Sequence, residues 1–325
     1  MKVLIVGYGS MGRRRIRLVS EVLNNAVFIC VDRNPERLMQ IKANGLLGYS
    51  NLDEAINEKP EIAFVCTSPG HHASIILRLI DSGIQVFTEL NLTSDLYEEI
   101  IDKSKIKNVS VFISSTLLYK KQIEFVNDFV KKQNSPMNYI YHVGQYLPDW
   151  HPWECYKDFF VSQKQTNGIR EILAIQLPWI VNTFGMIDSL SCQTQKCTRL
   201  DIDFPDTVNL SLHHENGNIG VFVADVVSRK AITRLEIIGE KIHLFWDGYD
   251  DLYNLNIDSG MLEKIHVNNS GDHIEGYSDN INEEPYRNEI KEFLLMIKEG
   301  KSPRYSLMKD KYILSLIDKI EEYYQ

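Results

Sequence analysis

The chain has 325 residues, 44% of them hydrophobic, and a formal net charge of -9 at pH 7. That length sets an expectation of two domains, either able to bury a core. The acidic balance argues against a nucleic-acid partner, which needs a basic face. No apolar run approaches the roughly 20 residues of a membrane span.

The opening segment is the most informative. Lys2 to Val6 reads as a buried parallel strand, and Gly7, Gly9 and Gly12 follow at G-x-G-x-x-G spacing ahead of a helical segment. The first glycine allows the tight turn, the second admits a pyrophosphate, and the third lets helix and strand pack closely. Tyr8, Ser10 and Met11 complete the turn. The helix start offers free N–H groups and a positive dipole end to phosphates. A second apolar run, Ala26 to Val31, ends at Asp32. An acid at that distance from the glycines is placed to bond an adenosine ribose. A carboxylate repels a 2′-phosphate, so Asp32 points to NAD. Arg33 could pair with that phosphate, which leaves NADP open.

Further strands are predicted at Ile62–Thr67, Val86–Glu89 and Val109–Ser114, with helices at Pro35–Ala43, His72–Ser82 and Leu96–Lys103. Apolar strands alternating with helices predict an α/β fold, a doubly wound parallel sheet with its crevice at the strands' carboxyl ends. This dinucleotide-binding domain is assigned residues 1–119.

The pattern then changes. A strand at Tyr139–Gln145 leads into an aromatic loop and a helix over Gly168–Phe184. Alternating segments follow at Thr207–His213, Ile219–Val227, Arg234–Ile238 and Ile242–Trp246, with more strand expected within Asp250–Val267. Asn216-Gly217 is a hairpin signal. A polar loop over Asn268–Glu284 precedes helices at Pro285–Lys298 and Ser306–Tyr323. Residues 120–325 therefore read as an α+β domain with a mostly antiparallel open sheet, its last helices free to pack back on the first domain.

Five cysteines, Cys30, Cys66, Cys155, Cys192 and Cys197, form no C-x-x-C and no zinc spacing. No metal is expected. Reduced thiols and the lack of a signal-peptide pattern before the first strand set a cytoplasmic expectation.

GYGSMG, VDRNPER and VCTSPGHHASIILRLIDSGIQVFTEL, in that order, resemble the nucleotide-binding domain of the Gfo/Idh/MocA oxidoreductases, and YRNEIKEFLLMIKEGKSP resembles the family's closing helix. The resemblance implies hydride exchange between a nicotinamide cofactor and a sugar, inositol or related polyol. It also implies a C-terminal sheet that shapes the substrate site and joins subunits into a dimer or tetramer. The family's T-x-P strand end near the cofactor, with a histidine after it, corresponds to Thr67, Ser68 and Pro69 with His71 and His72. Its Glu-Lys-Pro corresponds to Glu89-Leu90-Asn91, so the lysine position is leucine. Its D-x-x-x-H helix motif corresponds to Glu171 and Ile175, and a later acid is Pro178.

Neither Leu90 nor Ile175 can move a proton, yet oxidation of a carbinol needs a group that takes one. Candidates lie in the loop Gly144–Tyr156. Asp149, His151 and Glu154 are its titratable groups, and Tyr146, Trp150, Trp153 and Tyr156 give flat faces suited to a sugar ring. Histidine is the side chain whose unperturbed charge change falls near neutral pH, and His151 is the leading acid/base candidate beside Glu171. Tyr146, Trp150, Trp153, Glu154 and Arg170 are the substrate candidates. A domain-junction plug is the plain reading of the tryptophans, and a helix-end ion pair that of Arg170. Arg13, Arg14 and Arg15 could screen pyrophosphate or lie in solvent, and Tyr286 and Glu289 could reach the cleft.

Three functions stay open. The first is an NAD(P)-dependent oxidoreductase acting on a sugar, amino sugar or nucleotide-sugar. The second is a non-catalytic NAD(H)- or sugar-binding regulator. The third is a redox-neutral enzyme with tightly held NAD.

Overall fold

A computed structural model describes residues 1–151, 154–249, 251–267 and 282–324. The chain divides into two compact units. One comprises Met1–Thr116 and Pro285–Leu314, the other Leu117–Glu284 and Ser315–Gln325.

The first unit runs β1 (Lys2–Val6), α1 (Ser10–Val22), β2 (Val27–Val31), α2 (Pro35–Ala43), β3 (Leu47–Tyr49), α3 (Leu52–Ile56), β4 (Ile62–Val65), α4 (His72–Asp81), β5 (Gln85–Thr88), α5 (Tyr97–Lys107) and β6 (Val111–Ile113). All its strand pairs are parallel, in the order β3-β2-β1-β4-β5-β6. This is the doubly wound order, and the progression of strands across the sheet reverses between β1 and β4. Val3, Leu4 and Ile5 of β1 and all four residues of β4 are buried, as central parallel strands require.

In the second unit α6 (Lys121–Lys131), β7 (Asn138–Gly144) and α7 (Gly168–Phe184) precede β8 (Ile187–Gln195), β9 (Thr207–His214), β10 (Ile219–Asp225), β11 (Ile232–Gly239), β12 (Ile242–Trp246), β13 (Asp251–Leu255) and β14 (Leu262–His266). These strands form one sheet in the order β14-β13-β12-β11-β7-β10-β9-β8. Among the described residues of this sheet, only β7 and β10 pair in parallel. The sheet is mixed and mostly antiparallel. The β9–β10 hairpin turns at Asn216-Gly217, where Gly217 takes φ +86° and His214 N–H donates to the Asn218 carbonyl at 2.9 Å. Aromatic contacts fix α7 to the sheet. Tyr139 stacks on Phe184 at 4.0 Å, and Tyr141 meets Trp179 edge-on at 5.0 Å. That packing holds α7 together across the internal Pro178, which lacks the N–H a helix interior uses.

Two last helices follow, α8 (Glu284–Glu299) and α9 (Leu307–Glu321). Phe293 of α8 is fully buried in the first unit, edge-on to Phe64 at 5.7 Å and to Phe87 at 5.6 Å. The expected polar loop over Asn268–Glu284 lies largely outside the described residues. Among the described residues no helix is long and apolar enough to cross a membrane.

Candidate functional site

The glycine turn explains its own sequence. A side chain on Gly7, which takes φ +98°, would put Cβ 2.7 Å from the Cys66 carbonyl oxygen. One on Gly12 would meet the Gly7 carbonyl oxygen at 2.0 Å. Gly9 differs, since the nearest atom to its Cβ position is Arg37 Nη1 at 3.9 Å. Gly7 and Gly12 are closed by the protein, whereas Gly9 keeps an open face. Gly9 is also the cap of α1, with no side-chain cap bond and no acid in the first turn. The first-turn amides of Ser10, Met11 and Gly12 are thus available to an anion.

Asp32 sits at the end of β2, only 8% exposed. Its Oδ2 accepts the Tyr8 N–H at 2.8 Å and Arg37 Nη1 at 3.3 Å, and its Oδ1 accepts the Asn34 N–H at 2.9 Å. The carboxylate is therefore held against the glycine turn. Arg33 is exposed.

Thr67 and Ser68 follow β4, Ser68 exposed and Pro69 buried. His72 is 2% exposed and braces this segment. Its Nε2 donates to the Thr67 carbonyl at 2.8 Å. Its Nδ1 lies 2.8 Å from Asn91 Oδ1 and 3.2 Å from the Thr88 hydroxyl. Burial lowers the His72 pKa and favours the neutral ring. Asn91 Nδ2 donates in turn to the Tyr97 hydroxyl at 2.7 Å. Tyr97 and Tyr305 both donate to Asp310, whose carboxyl burial pushes up to about 6. A buried polar chain thus runs from the loop after β4 to α9. His72 acts by holding Thr67.

Glu89, at the end of β5, is engaged by Arg15. Arg15 Nε donates to Glu89 Oε1 at 2.6 Å and Nη2 to Oε2 at 3.1 Å. Nη2 also donates to Glu289 Oε2 at 3.0 Å. Arg15 is fully buried, its guanidinium 4.4 Å from the Phe87 ring centroid. Glu289 further accepts the Ser115 N–H at 2.6 Å and the Ser114 hydroxyl at 3.0 Å. Burial pushes the Glu289 carboxyl up, and Arg15 pulls it down. Arg15 is thus neither a pyrophosphate screen nor a solvated charge. Leu90 is half-buried.

In the second unit, His151 Nδ1 lies 2.5 Å from Glu154 Oε1, and its ring packs 4.4 Å from that of Phe159. Trp150 Nε1 donates to the Gln145 carbonyl at 3.0 Å, and Arg229 stacks 3.5 Å over the Tyr146 ring. Trp153 lies outside the described residues. Glu171, in the first turn of α7, is partly exposed, but its Oε2 is shielded from solvent and has no hydrogen-bond partner among the described residues. Burial pushes its carboxyl up to about 7. Ile175 lies one turn further along the same helix, half-buried. Arg170 differs from the substrate role set for it. It is 4% exposed, with Nη2 at 2.6 Å from Asp318 and Nη1 at 2.6 Å from Glu321. Two carboxylates already meet its charge.

Sequence reasoning missed the roles of Arg15, Arg37, Asn91 and Asp310. One signal for Arg15 was present, since Arg15, Leu18 and Val19 share a buried face of α1 at helical spacing. Among the described residues no group of three or more His, Cys, Asp or Glu is arranged to hold a metal.

Residues 1–115 match the GFO_IDH_MocA family model, described as an oxidoreductase family with an NAD-binding Rossmann fold. No functionally curated protein matches the sequence. Solved structures resemble the whole chain. A levoglucosan dehydrogenase in complex with NADH and levoglucosan aligns with TM-score 0.80 and 15% identity, covering 99% of this chain and 96% of its own. UDP-N-acetylglucosamine 3-dehydrogenase GnnA from Acidithiobacillus ferrooxidans gives 0.77 and 13%, covering 99% and 97%. An oxidoreductase from Agrobacterium radiobacter, in complex with NAD+, L-tartaric acid and magnesium, gives 0.85 and 12%, covering 99% and 96%. At these identities the likeness shows a shared fold.

Proposed function

We propose, from the match of residues 1–115 to the Gfo/Idh/MocA model of NAD-binding oxidoreductases, that the chain is a member of that family and exchanges a hydride between NAD(H) and a hydroxyl or keto carbon of a sugar, amino sugar or nucleotide-sugar. The observation that carries this reading is the open face at Gly9 between two closed glycines, with Asp32 held beside the turn. NAD, when bound, supplies the hydride chemistry. The amides at the start of α1 hold its pyrophosphate, and Asp32 holds its adenosine ribose. A structural neighbour solved with levoglucosan, and another named a UDP-N-acetylglucosamine 3-dehydrogenase, support the substrate class.

The substrate's hydroxyl proton needs a protein acceptor. Glu171 offers a carboxyl poised near neutrality, with an oxygen that no donor among the described residues occupies. His151 offers an imidazole oriented by Glu154. We assign proton handling to these two, with Tyr146, Trp150, Trp153 and Glu154 as substrate contacts. Leu90 and Ile175 favour a second reading, in which the chain binds NAD(H) without turning over. A panel of free, amino- and nucleotide-sugars with NAD and NADP separates the two. Steady NADH or NADPH formation supports the enzyme. Cofactor binding with no turnover across the panel supports the sensor.

Exposed Ile140, Val221 and Ile238 on the second unit's sheet support a homo-oligomer, a dimer or tetramer. Sedimentation of the purified chain tests that point. A cytoplasmic location remains part of this reading and is tested by cell fractionation.

A further inference from the structure

The second unit holds a cavity of about 440 Å³ at one end of its sheet, and Tyr146, Tyr156, Lys157, Arg199, Asp201 and Arg229 supply its polar and aromatic walls. Topology brings these walls together. Strands β7 and β10 run parallel, so Tyr146 and Arg229 both follow carboxyl ends at the same edge. Backbone bonds zip the two exits, Tyr146 N–H to the Ser228 carbonyl at 2.7 Å and Leu147 N–H to that of Val226 at 2.9 Å. Strand β8 pairs antiparallel to β9, and β9 to β10, so β8 also ends there.

The segment after β8 carries Arg199 and Asp201 and is pinned by Asp206. That buried carboxylate accepts the Cys197 N–H at 2.7 Å, the Thr198 N–H at 2.8 Å and the Thr198 hydroxyl at 2.6 Å. The Tyr156 hydroxyl accepts the Asp201 N–H at 3.2 Å and closes the wall.

Charge then identifies the occupant. Lys157 is paired with Asp201. Arg199 and Arg229 face no carboxylate within ion-pair distance among the described residues. Two uncompensated guanidiniums thus line one cavity of a chain whose net charge is -9. The Arg229 guanidinium carbon sits 3.5 Å over the centroid of the Tyr146 ring, which anchors the side chain at the cavity. A guanidinium presents a fork matched to two oxygens of one anion. The volume falls within the range of small-ligand pockets.

We propose that this cavity is an anion subsite, built to receive the phosphoryl or carboxylate group of a charged sugar substrate. The assignment rests on the sugar-oxidoreductase reading and narrows it from sugars in general to sugars carrying an anion. Phosphoryl and carboxylate groups share the chemistry the two arginines read, and separate probes distinguish them.

The test is calorimetric titration of the full chain, saturated with NAD so that the glycine turn is not the binding site. Inorganic pyrophosphate and glucuronate are the two probes, applied to wild type, Arg229→Gln, Arg199→Gln and the double variant. Both arginines are exposed, so the variants are expected to fold, and any single variant that melts like wild type suffices. We expect at least one probe to bind wild type and to weaken at least about tenfold in the variants, the scale of a lost charge-assisted bond. Weakening confined to pyrophosphate identifies a phosphoryl ligand, and weakening confined to glucuronate a carboxylate. Binding of neither probe, or equal binding to wild type and variants, overturns the subsite. NAD affinity, measured in the loading step, reports separately on the oxidoreductase reading. If NAD fails to bind, that reading falls, while the anion titration is still read without it.

Discussion

Arg15 and Glu289 lie 274 positions apart in sequence, yet Nη2 and Oε2 meet at 3.0 Å with both side chains fully buried. The same guanidinium holds Glu89 at the end of β5. One arginine of α1 thereby ties the strand end beside the dinucleotide turn to α8. Glu289 is thereby fixed within the first unit, which includes Pro285–Leu314. A buried ion pair is not by itself a net stabiliser, because both charges lose water. Removing one partner is another matter.

Arg15→Met leaves the buried Glu289 and the partly buried Glu89 without their cation. We expect it to destabilise the chain by about 3–5 kcal/mol, the usual loss when a buried pair is broken. Urea unfolding of wild type and variant measures this. A loss below about 1 kcal/mol would place the cluster among weakly contributing surface pairs.

Glu171 makes stability depend on pH in a defined direction. Its folded carboxyl is raised from 4.5 to about 7 by burial. The native state then holds the proton more tightly than the unfolded chain. The resulting stabilisation is fully present below about 4.5 and is lost as pH rises through about 7. Glu171→Gln removes this dependence. Between pH 5 and pH 8 the variant should gain roughly 1–3 kcal/mol relative to wild type, the scale of an unsatisfied buried polar group. Urea midpoints at the two pH values report it. An equal difference at both would show that the carboxyl titrates normally.

The kinetic counterpart distinguishes the two proton candidates. Loss of an acid/base group lowers turnover by about 10²–10⁴-fold. Glu171→Gln should erase an inflection near pH 7 in log kcat/KM. His151→Ala should lower kcat at least about tenfold while leaving the melting temperature in place, since its pairing with Glu154 is half-exposed. Unchanged turnover in the histidine variant removes His151 from the mechanism.

In the proposed reading Asp32 sets cofactor choice, because its carboxylate would face the 2′-phosphate of NADP. Asp32→Ser also frees the Tyr8 N–H and loosens the turn, so absolute affinities fall for both cofactors. The ratio cancels that shared loss. We expect the NAD-to-NADP preference to drop at least about tenfold, the scale of one like-charge contact. Competitive titration of both cofactors gives the ratio, and an unchanged ratio would assign the choice to Arg33 or Arg37.

The parallel sheet was legible because β1, β2, β4 and β5 are apolar runs cut by glycines and helix starts. Strand β3 was not, being only three residues with none fully buried. Strand β8 is an edge strand whose residues after Ile187 are exposed or half-exposed, so it lacks a clean buried alternation. The glycine turn was legible because Gly7 and Gly12 leave no room for a side chain, and Asp32 because it directly follows an apolar strand. The Arg15 cluster and the His72–Asp310 chain join residues far apart in sequence. Such contacts leave no local period, and only Arg15's place on an apolar helix face hinted at one. Arg170 stood at the helix start where it was expected, but its partners Asp318 and Glu321 come from α9.

The most direct test uses Gly9→Asp. Aspartate is a preferred helix cap, and the Cβ position has no atom closer than 3.9 Å, so the fold should hold. The new carboxylate would face the pyrophosphate. Calorimetric titration with NAD should show binding to wild type and a dissociation constant at least about a hundredfold weaker in the variant, with an unchanged melting temperature. Equal NAD affinity in the two proteins, or no NAD binding by wild type, would contradict the account.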